Sequence, residues 1–361
     1  MLGLKKIDWY IIKKFISTFF IALMFMIVIV IIFDISEKVD NFVSKNAPLK
    51  EIIFDYYCNW VPYFMNMFSP LFVFITVIFF TSRMAANTEI IAILSCGVSY
   101  RRMMVPYFVS AFLIFLLSLS LNLWIIPRSN ITRIKFENTY IDRSSTSNMN
   151  VHYQISPGTF VFVESFSSWN NTCNTFTLEE IRDNKVVSKL SAEKAVWDST
   201  KGCWHLRNYF IRDFTEGLQD HVRTGKQLDT VINLTITDFY RNKKTVETLA
   251  FGQLNDLIRT QQMRGDANVM YAQIEKHTRF ALPFSAFILT IMGVSLSSRK
   301  RSGGIGLNIG VGIALSFTYI LFLKFSQMFV YSGALSPAIA LWLPNVLFGF
   351  IAAFLYYKAS R

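Results

Sequence analysis

A loop between two early apolar runs carries the residues best suited to contact a partner protein. Within the loop Thr81–Arg102, residues 85–95 predict a short amphipathic helix, and Gly97 supplies its C-terminal stop. We expect the apolar stripe of this helix to dock on a partner protein while a carboxylate early in the helix faces outward. The residues expected to form this contact are Arg83, Glu89, Ile90, Ile93 and Leu94.

No catalytic or nucleotide-binding motif accompanies this loop. The only Gly-Lys pair, Gly225-Lys226, lacks the upstream glycine and the following hydroxyl residue of a phosphate-binding loop, and neither G-x-S-x-G nor H-E-x-x-H occurs. The histidines are scattered and there is no C-x-x-C pair, so we expect no metal site. A chain with no energy source of its own favours docking of the loop helix on a separate ATPase over a helix that only lies on lipid.

The cysteines leave two interpretations open. Cys58 and Cys96 fall in membrane or loop segments, whereas Cys173 and Cys203 both lie in a long polar interval. Only the second pair can meet in an oxidising compartment. Cys173 and Cys203 therefore either form a disulfide or remain two buried free thiols.

Runs without charged residues locate the membrane-spanning helices that position this loop. About 20 apolar residues cross a ~30 Å hydrocarbon core, and six such runs divide the chain into membrane segments 1–127 and 280–361 around an inserted segment 128–279. The predicted spans are Phe15–Phe33, Trp60–Ser82, Met103–Pro127, Phe280–Ser298, Ser302–Leu323 and Ala338–Tyr357.

Basic clusters beside the spans predict the orientation. With six crossings all of them fall on one side, which the positive-inside rule assigns to the cytoplasm together with both termini. Segment 128–279 then faces outward, and the net charge of +12 reflects topology and not nucleic-acid binding. The first span should stay attached, because its apolar run exceeds that of a signal peptide. The clusters are Lys5 to Lys14, Arg83 to Arg102, Arg299 to Arg301, and Lys358 with Arg361.

The inserted segment is predicted to be an antiparallel, jelly-roll-like β domain with a helix at each end. Phe160, Phe162 and Phe166 are expected on one face of its first strand, and Val161 with Val163 on the other. One face must be core, and the second either packs under a neighbour or lines a groove for lipid. The predicted strands are Thr159–Phe166, Thr175–Arg182, Val186–Trp197, Cys203–Phe214 and Thr230–Phe239.

Ionisable residues are nearly absent from the predicted spans, which disfavours a proton- or ion-coupled transporter. Lys324 is the exception, near the outer end of the fifth span. It either snorkels to the interface or contacts a phosphate on a lipid head group.

Two stretches carry a resemblance to a known family: Thr88-Glu89-Ile90 to Cys96-Gly97-Val98-Ser99, and Tyr271 to Pro283 with Gly293-Val294-Ser295-Leu296 beyond. Together with the layout of three spans, a β domain and three spans, they resemble the LptF/LptG family of lipopolysaccharide permeases. The opening Ile7 to Phe15 is more similar to the G-type subunit. Asp34 departs from relatives that carry a basic, lipid-contacting residue there, which places head-group capture in doubt.

The resemblance implies an ABC exporter in the bacterial inner membrane. Its partners would be a second, related permease, a cytoplasmic LptB-like ATPase dimer that holds ATP and magnesium, and a periplasmic bridge protein of the LptC/LptA type. Lipopolysaccharide would enter laterally past the first and fifth spans, with the partner permease supplying the opposite wall of each gate, and pass to the β domain. The residues expected to face lipid are Phe25, Ile29, Phe317, Leu321, Lys324, Phe160 and Phe162.

Other functions stay open at this point. Another ABC-type permease for envelope lipids or lipoproteins would share the loop helix, although four spans would be usual for it. A structural envelope anchor that moves nothing would share the layout.

Overall fold

The computed structural model describes residues 5–141, 148–167, 171–198, 202–214, 220–232, 234, 246–263, 265, 268–298 and 304–360. The chain forms two compact units. The helical unit comprises Met1–Ile141, Glu247–Phe251 and Gln273–Arg361. The β unit comprises Asp142–Val246 and Gly252–Ala272.

The helical unit contains most of the helices of the chain. In chain order the helices are α1 (Lys6–Ser44), α2 (Leu49–Glu51), α3 (Cys58–Ala86), α4 (Glu89–Ser95), α5 (Tyr100–Ser120), α6 (Ile126–Phe136), α7 (Phe251–Met263), α8 (Val269–Ser297), α9 (Gly304–Tyr331) and α10 (Pro337–Ser360). Three π-helical turns, Ile52–Tyr57, Leu121–Ile125 and Glu137–Ile141, join or extend them. Among the described residues, six continuous helical stretches are long and apolar enough to cross a membrane, which confirms the six predicted spans.

Helix α1 is the longest single α-helix described. It has 39 residues, about 58 Å at 1.5 Å per residue, and its sequence contains neither proline nor glycine. Helices α3, α5, α8 and α10 each contain at least one proline. Because proline and glycine are the usual causes of sharp kinks, α1 has no built-in point at which to bend.

The units divide at positions that differ from the predicted boundaries. Helical structure continues from α5 through α6 to Ile141, and residues from Gln273 onward already belong to the helical unit. The polar ends of these helices extend beyond the apolar runs from which the boundaries at 127 and 280 were drawn.

The β unit contains one antiparallel sheet of six strands whose order follows the sequence. The inserted antiparallel β domain is therefore confirmed. The strands are β1 (Asn148–Ser156), β2 (Thr159–Ser167), β3 (Thr172–Arg182), β4 (Lys185–Asp198), β5 (Cys203–Asp213) and β6 (His221–Thr230).

The predicted strand Thr230–Phe239 falls mostly outside the described residues. Thr230 ends β6, residues 231, 232 and 234 are not in a strand, and residues 233 and 235–239 lie outside the described residues. Sequence reasoning missed β6 because it is an edge strand exposed on nearly every side chain, so it shows no apolar alternation.

The core of the β unit lies on one face of the sheet. It includes Val161, Val163, Phe166, Phe176 and Trp204, all buried. The Trp204 indole donates a 2.7 Å hydrogen bond to the backbone carbonyl of Leu234. This bond satisfies the polar end of the largest buried side chain.

A row of unpaired positions crosses all six strands. Apart from irregularities at Gln154/Ser156 and Glu180/Ile181, the register of every neighbouring pair omits one position, and these positions join into the row 150, 164, 175, 193, 208 and 226. Thr175 and Asn208 there have positive φ angles of 48° and 50°. Their side chains donate to the carboxylates of Glu164 and Glu193 at 2.5 and 2.6 Å. We call this row the crease.

The crease shifts the alternation of side chains by one residue. On β2 the buried residues are Val161, Val163 and Phe166, and on β3 they include Cys173 and Phe176. The expectation that Phe166 shares a face with Phe160 is therefore wrong. A strict two-residue alternation does not predict which side chains are buried, because the irregular backbone at the crease exchanges the two faces of the strand.

Candidate functional site

The loop helix begins later than predicted. Ala85 and Ala86 belong to α3, and the chain then turns through Thr88, whose φ is 61°, before α4 begins at Glu89. Gly97, with a φ of 81°, ends α4 as expected. Ser99 caps the next helix, because its Oγ accepts a 3.3 Å hydrogen bond from the Arg102 backbone N–H. The result is a seven-residue helix between two sharp turns.

The exposed face of α4 differs from the predicted stripe. Ile90 is 1% exposed and packs in the main core of the helical unit, so the prediction that it docks on a partner is wrong. Ile93 is partly buried against the same core. Leu94 is 37% exposed and Ile91 54% exposed. Three residues apart on a helix, Ile91 and Leu94 share one face; we call this pair the docking face.

Sequence reasoning missed Ile91, although a signal for it exists. The pattern Ile90, Ile91, Ile93 and Leu94 contains two apolar stripes, one packed against the core and one exposed, and only one was assigned from the sequence. Arg83 is exposed on the last turn of α3. The helix therefore presents both an anchored and a free apolar surface.

Glu89 does not stand free at the start of α4. Its Oε2 accepts a 3.1 Å hydrogen bond from the Tyr10 hydroxyl and lies 4.0 Å from the Lys14 ammonium nitrogen. Lys14 in turn donates to the Tyr10 hydroxyl at 2.7 Å. The carboxylate is still partly exposed, so it is held by α1 and can also face a partner.

A second contact between α1 and this region was not predicted. The Asp8 carboxylate accepts two hydrogen bonds from the Arg102 guanidinium, at 2.9 and 2.5 Å, and a third from the Lys5 backbone N–H at 2.7 Å. The Asp8 side chain is only 5% exposed. The two residues are 94 positions apart, and no local sequence pattern links them.

The predicted lipid-facing residues of the spans do lie on the surface of the helical unit. Phe25 and Ile29 are exposed on α1, and Phe317 and Leu321 are exposed on α9. Lys324 is also exposed, further along α9. Each face can meet lipid or another membrane protein.

Asp34 lies in a buried polar cluster instead of facing lipid. Lys38 pairs with its carboxylate at 2.5 Å, and the Tyr57 hydroxyl donates to Oδ2 at 3.1 Å. Lys38 also donates to the Tyr56 hydroxyl and lies 5.7 Å from the Trp60 ring centroid. The negative charge that placed head-group capture in doubt is therefore compensated within the chain.

An apolar pocket of about 650 Å³ lies beside this cluster. It is formed by the C-terminal third of α1 and the turn into the second span, and its lining is almost wholly aliphatic and aromatic. Such a volume suits part of an acyl chain better than a polar group. Its lining includes Ile35, Val39, Phe42, Ile53 and Tyr57.

A second pocket, of about 690 Å³, lies on the sheet of the β unit. Phe160 and Phe162 line it with His152, and the His152 and Phe162 rings are 4.6 Å apart. Glu179 and Lys189 also line it, and they form a 2.7 Å ion pair. The pocket has an apolar wall and a charged wall.

The two cysteines of the β unit are free in the structure. Cys173 lies on β3 and Cys203 on β5, with β4 between them. Two strand spacings of about 4.8 Å already exceed the ~7 Å limit for a disulfide between Cα atoms. The interpretation of two buried free thiols therefore agrees with the structure, and that of a disulfide does not. Burial raises the pKa of the Cys173 thiol to about 12.

Among the described residues, no group of three His, Cys, Asp or Glu side chains is placed to hold a metal ion.

The family model for the lipopolysaccharide export system permease LptF/LptG matches residues 9–358. The chain belongs to the LptF/LptG family. No curated protein matches it.

Membership in the LptF/LptG family decides among the functions left open by the sequence. The match spans all six membrane helices and the β unit, so the chain is a permease of the lipopolysaccharide export system. It is a multi-pass transport component and not itself an enzyme. The docking face, the exposed faces of α1 and α9, and the two pockets are thus features of an LptF/LptG permease.

Proposed function

We propose that this permease exports lipopolysaccharide from the bacterial inner membrane with energy from a separate ATPase, and that it is the G-type subunit. Its termini and α4 lie in the cytoplasm and its β unit in the periplasm. The basic clusters that flank the spans support this orientation, because cytoplasmic loops carry an excess of Lys and Arg.

The docking face carries the proposal for energy coupling. Ile90 anchors α4 in the core, while Ile91 and Leu94 remain exposed on a helix at the proposed cytoplasmic surface. An amphipathic helix commonly lays such a face into a groove of a partner. We propose that this partner is an ABC ATPase dimer that holds ATP and magnesium. Glu89 and Arg83 lie at the rim of the contact.

The lipid pathway runs along α1 and α9. Lipopolysaccharide reaches the permease laterally, past Phe25 and Ile29 on one side and Phe317 and Leu321 on the other, and a second, related permease supplies the opposite walls. The aliphatic pocket beside Tyr57 accepts acyl chains. Lys324 contacts a head-group phosphate as a point charge.

The β unit receives the lipid next. The pocket lined by Phe160 and Phe162 offers an apolar wall to acyl chains and an ion pair to polar groups. Strands β1 and β6 are the edges of the sheet. An edge strand can add a strand from a periplasmic bridge protein, which would continue the path.

Crosslinking in native membranes tests the proposal. A photo-crosslinking amino acid at Phe25, Ile29, Phe317 or Leu321 should capture lipopolysaccharide in an ATP-dependent manner, and one at Ile91 should capture the ATPase. Phe350, exposed on α10, serves as the matched control. Capture of lipid at Phe350 alone, or of no ATPase at Ile91, would contradict the assignment.

A further inference from the structure

The N-terminal end of α1 is joined to both sides of the segment that carries α4. On the side before α4, Tyr10 and Lys14 contact Glu89, the first residue of the helix. On the side after α4, Asp8 pairs with Arg102 in the first turn of α5. The segment 89–102 is therefore held to α1 at both of its ends.

The contact between Asp8 and Arg102 is the stronger of the two. It is bidentate, with both distances below 3.0 Å, and the carboxylate is nearly inaccessible to solvent. Charge-assisted bidentate pairs fix orientation as well as distance. Loss of either partner would leave the other charge poorly compensated.

Apolar packing joins the same three helices. Ile11 and Phe15 of α1, Ile90 of α4, and Met103 and Met104 of α5 belong to one buried cluster. Close-packed side chains have few alternative arrangements and transmit strain. A displacement of α4 therefore moves the end of α1 instead of sliding past it.

Helix α1 can carry such a movement across the membrane. Phe25 and Ile29 lie 17 and 21 residues beyond Asp8 on the same helix, which is about 26 and 32 Å at 1.5 Å per residue. No proline or glycine interrupts the helix over this distance. The two ends of α1 should therefore tilt together.

We propose that Asp8 and Arg102 are positioning residues that transmit the movement of α4 to α1, so that ATP hydrolysis by the ATPase bound at the docking face moves the surface of Phe25 and Ile29. The proposal rests on the function proposed above. The pair acts through α1 and does not itself contact lipid. Its loss should leave ATP hydrolysis intact and disconnect it from lipid export.

The experiment uses the whole export complex, purified with its ATPase and reconstituted in proteoliposomes. Asp8→Asn, Arg102→Gln and the double variant are compared with Arg101→Gln, which removes an exposed charge one residue away. Two rates are measured: ATP hydrolysis and release of lipopolysaccharide to a periplasmic acceptor. Each single variant should raise the ATP consumed per lipid released by at least about fivefold, the lower range of allosteric coupling. Arg101→Gln should not change this ratio.

Three further results complete the test. The double variant should be no worse than the poorer single variant, because one contact is lost in each case. If a single variant is poorly folded, Arg102→Lys keeps the charge, loses the bidentate geometry, and should show a smaller rise in the ratio. An unchanged ratio in every variant, or loss of ATPase binding by Arg102→Gln, would overturn the proposal. A wild-type complex that hydrolyses ATP without releasing lipid would instead overturn the proposed function.

Discussion

Adjacent isoleucines of α4 offer a direct test of the docking face. Ile90 is buried and Ile91 is 54% exposed, so the same substitution at the two positions should have opposite consequences. Each change to alanine removes three carbons, worth about 0.8 kcal/mol per carbon when fully buried. In the proposed complex, docking of the ATPase covers the exposed half of Ile91. Ile91→Ala should therefore weaken docking by roughly 1.3 kcal/mol, about tenfold in Kd.

The matched variant should change the chain itself. Ile90→Ala leaves a cavity in the main core and should cost about 2 to 5 kcal/mol of stability, while Ile91→Ala should stay within about 0.5 kcal/mol of wild type. Thermal unfolding in detergent measures stability, and titration of the ATPase onto immobilised permease measures docking. Wild-type affinity in Ile91→Ala, with the ATPase still required for export, would refute the assignment of this face.

Three further predictions concern other groups. Glu89→Lys should leave the chain folded but weaken ATPase association and stop lipid export; normal export with the ATPase bound would place coupling elsewhere. Cys173 should resist maleimide at pH 8 until the protein is denatured, because burial raises its pKa to about 12, and gel mobility with and without reductant should be equal, as expected for free thiols. The pKa of His205 is raised because its ring hydrogen-bonds to Asp229 and Asp198. The resulting stabilisation of β6 is therefore complete below about pH 6.5 and is lost as the pH rises through the raised pKa. Hydrogen exchange of the β6 amides should accelerate over that pH range, and His205→Gln should remove this step.

The six spans were predictable because each depends on a local property, the length of an apolar run. The docking face was only partly predictable. Ile90 and Ile91 are the same residue type in neighbouring positions, and which one faces the core depends on where α4 begins. The left-handed turn at Thr88 sets that phase, and sequence did not reveal it.

Contacts between distant residues were the least predictable part of the site. In the sequence Arg102 belongs only to a basic cluster beside a span and Asp8 has no assigned role, yet the two form a bidentate pair whose carboxylate is nearly inaccessible to solvent. The sequence suggests that Asp34 is an unfavourable charge for head-group capture. It does not reveal that Lys38 compensates this charge, because that ion pair depends on packing against aromatic rings from the second span. Pairing and burial arise from tertiary packing, which local sequence patterns do not reveal.

The crease has a consequence for how such domains can be recognised or redesigned. A single strand of this sheet consists of two short segments whose side chains alternate in opposite phase: on β2, Val161 and Val163 belong to the first segment and Phe166 to the second. A search or a design algorithm that imposes one alternation along the whole strand would place the core residues of one of the two segments on the solvent face. Deleting one residue at position 164 alone would restore a single alternation on β2 but shift its register against its two neighbours, β1 and β3. Insertions and deletions at the crease should therefore be tolerated only when all the strands change together.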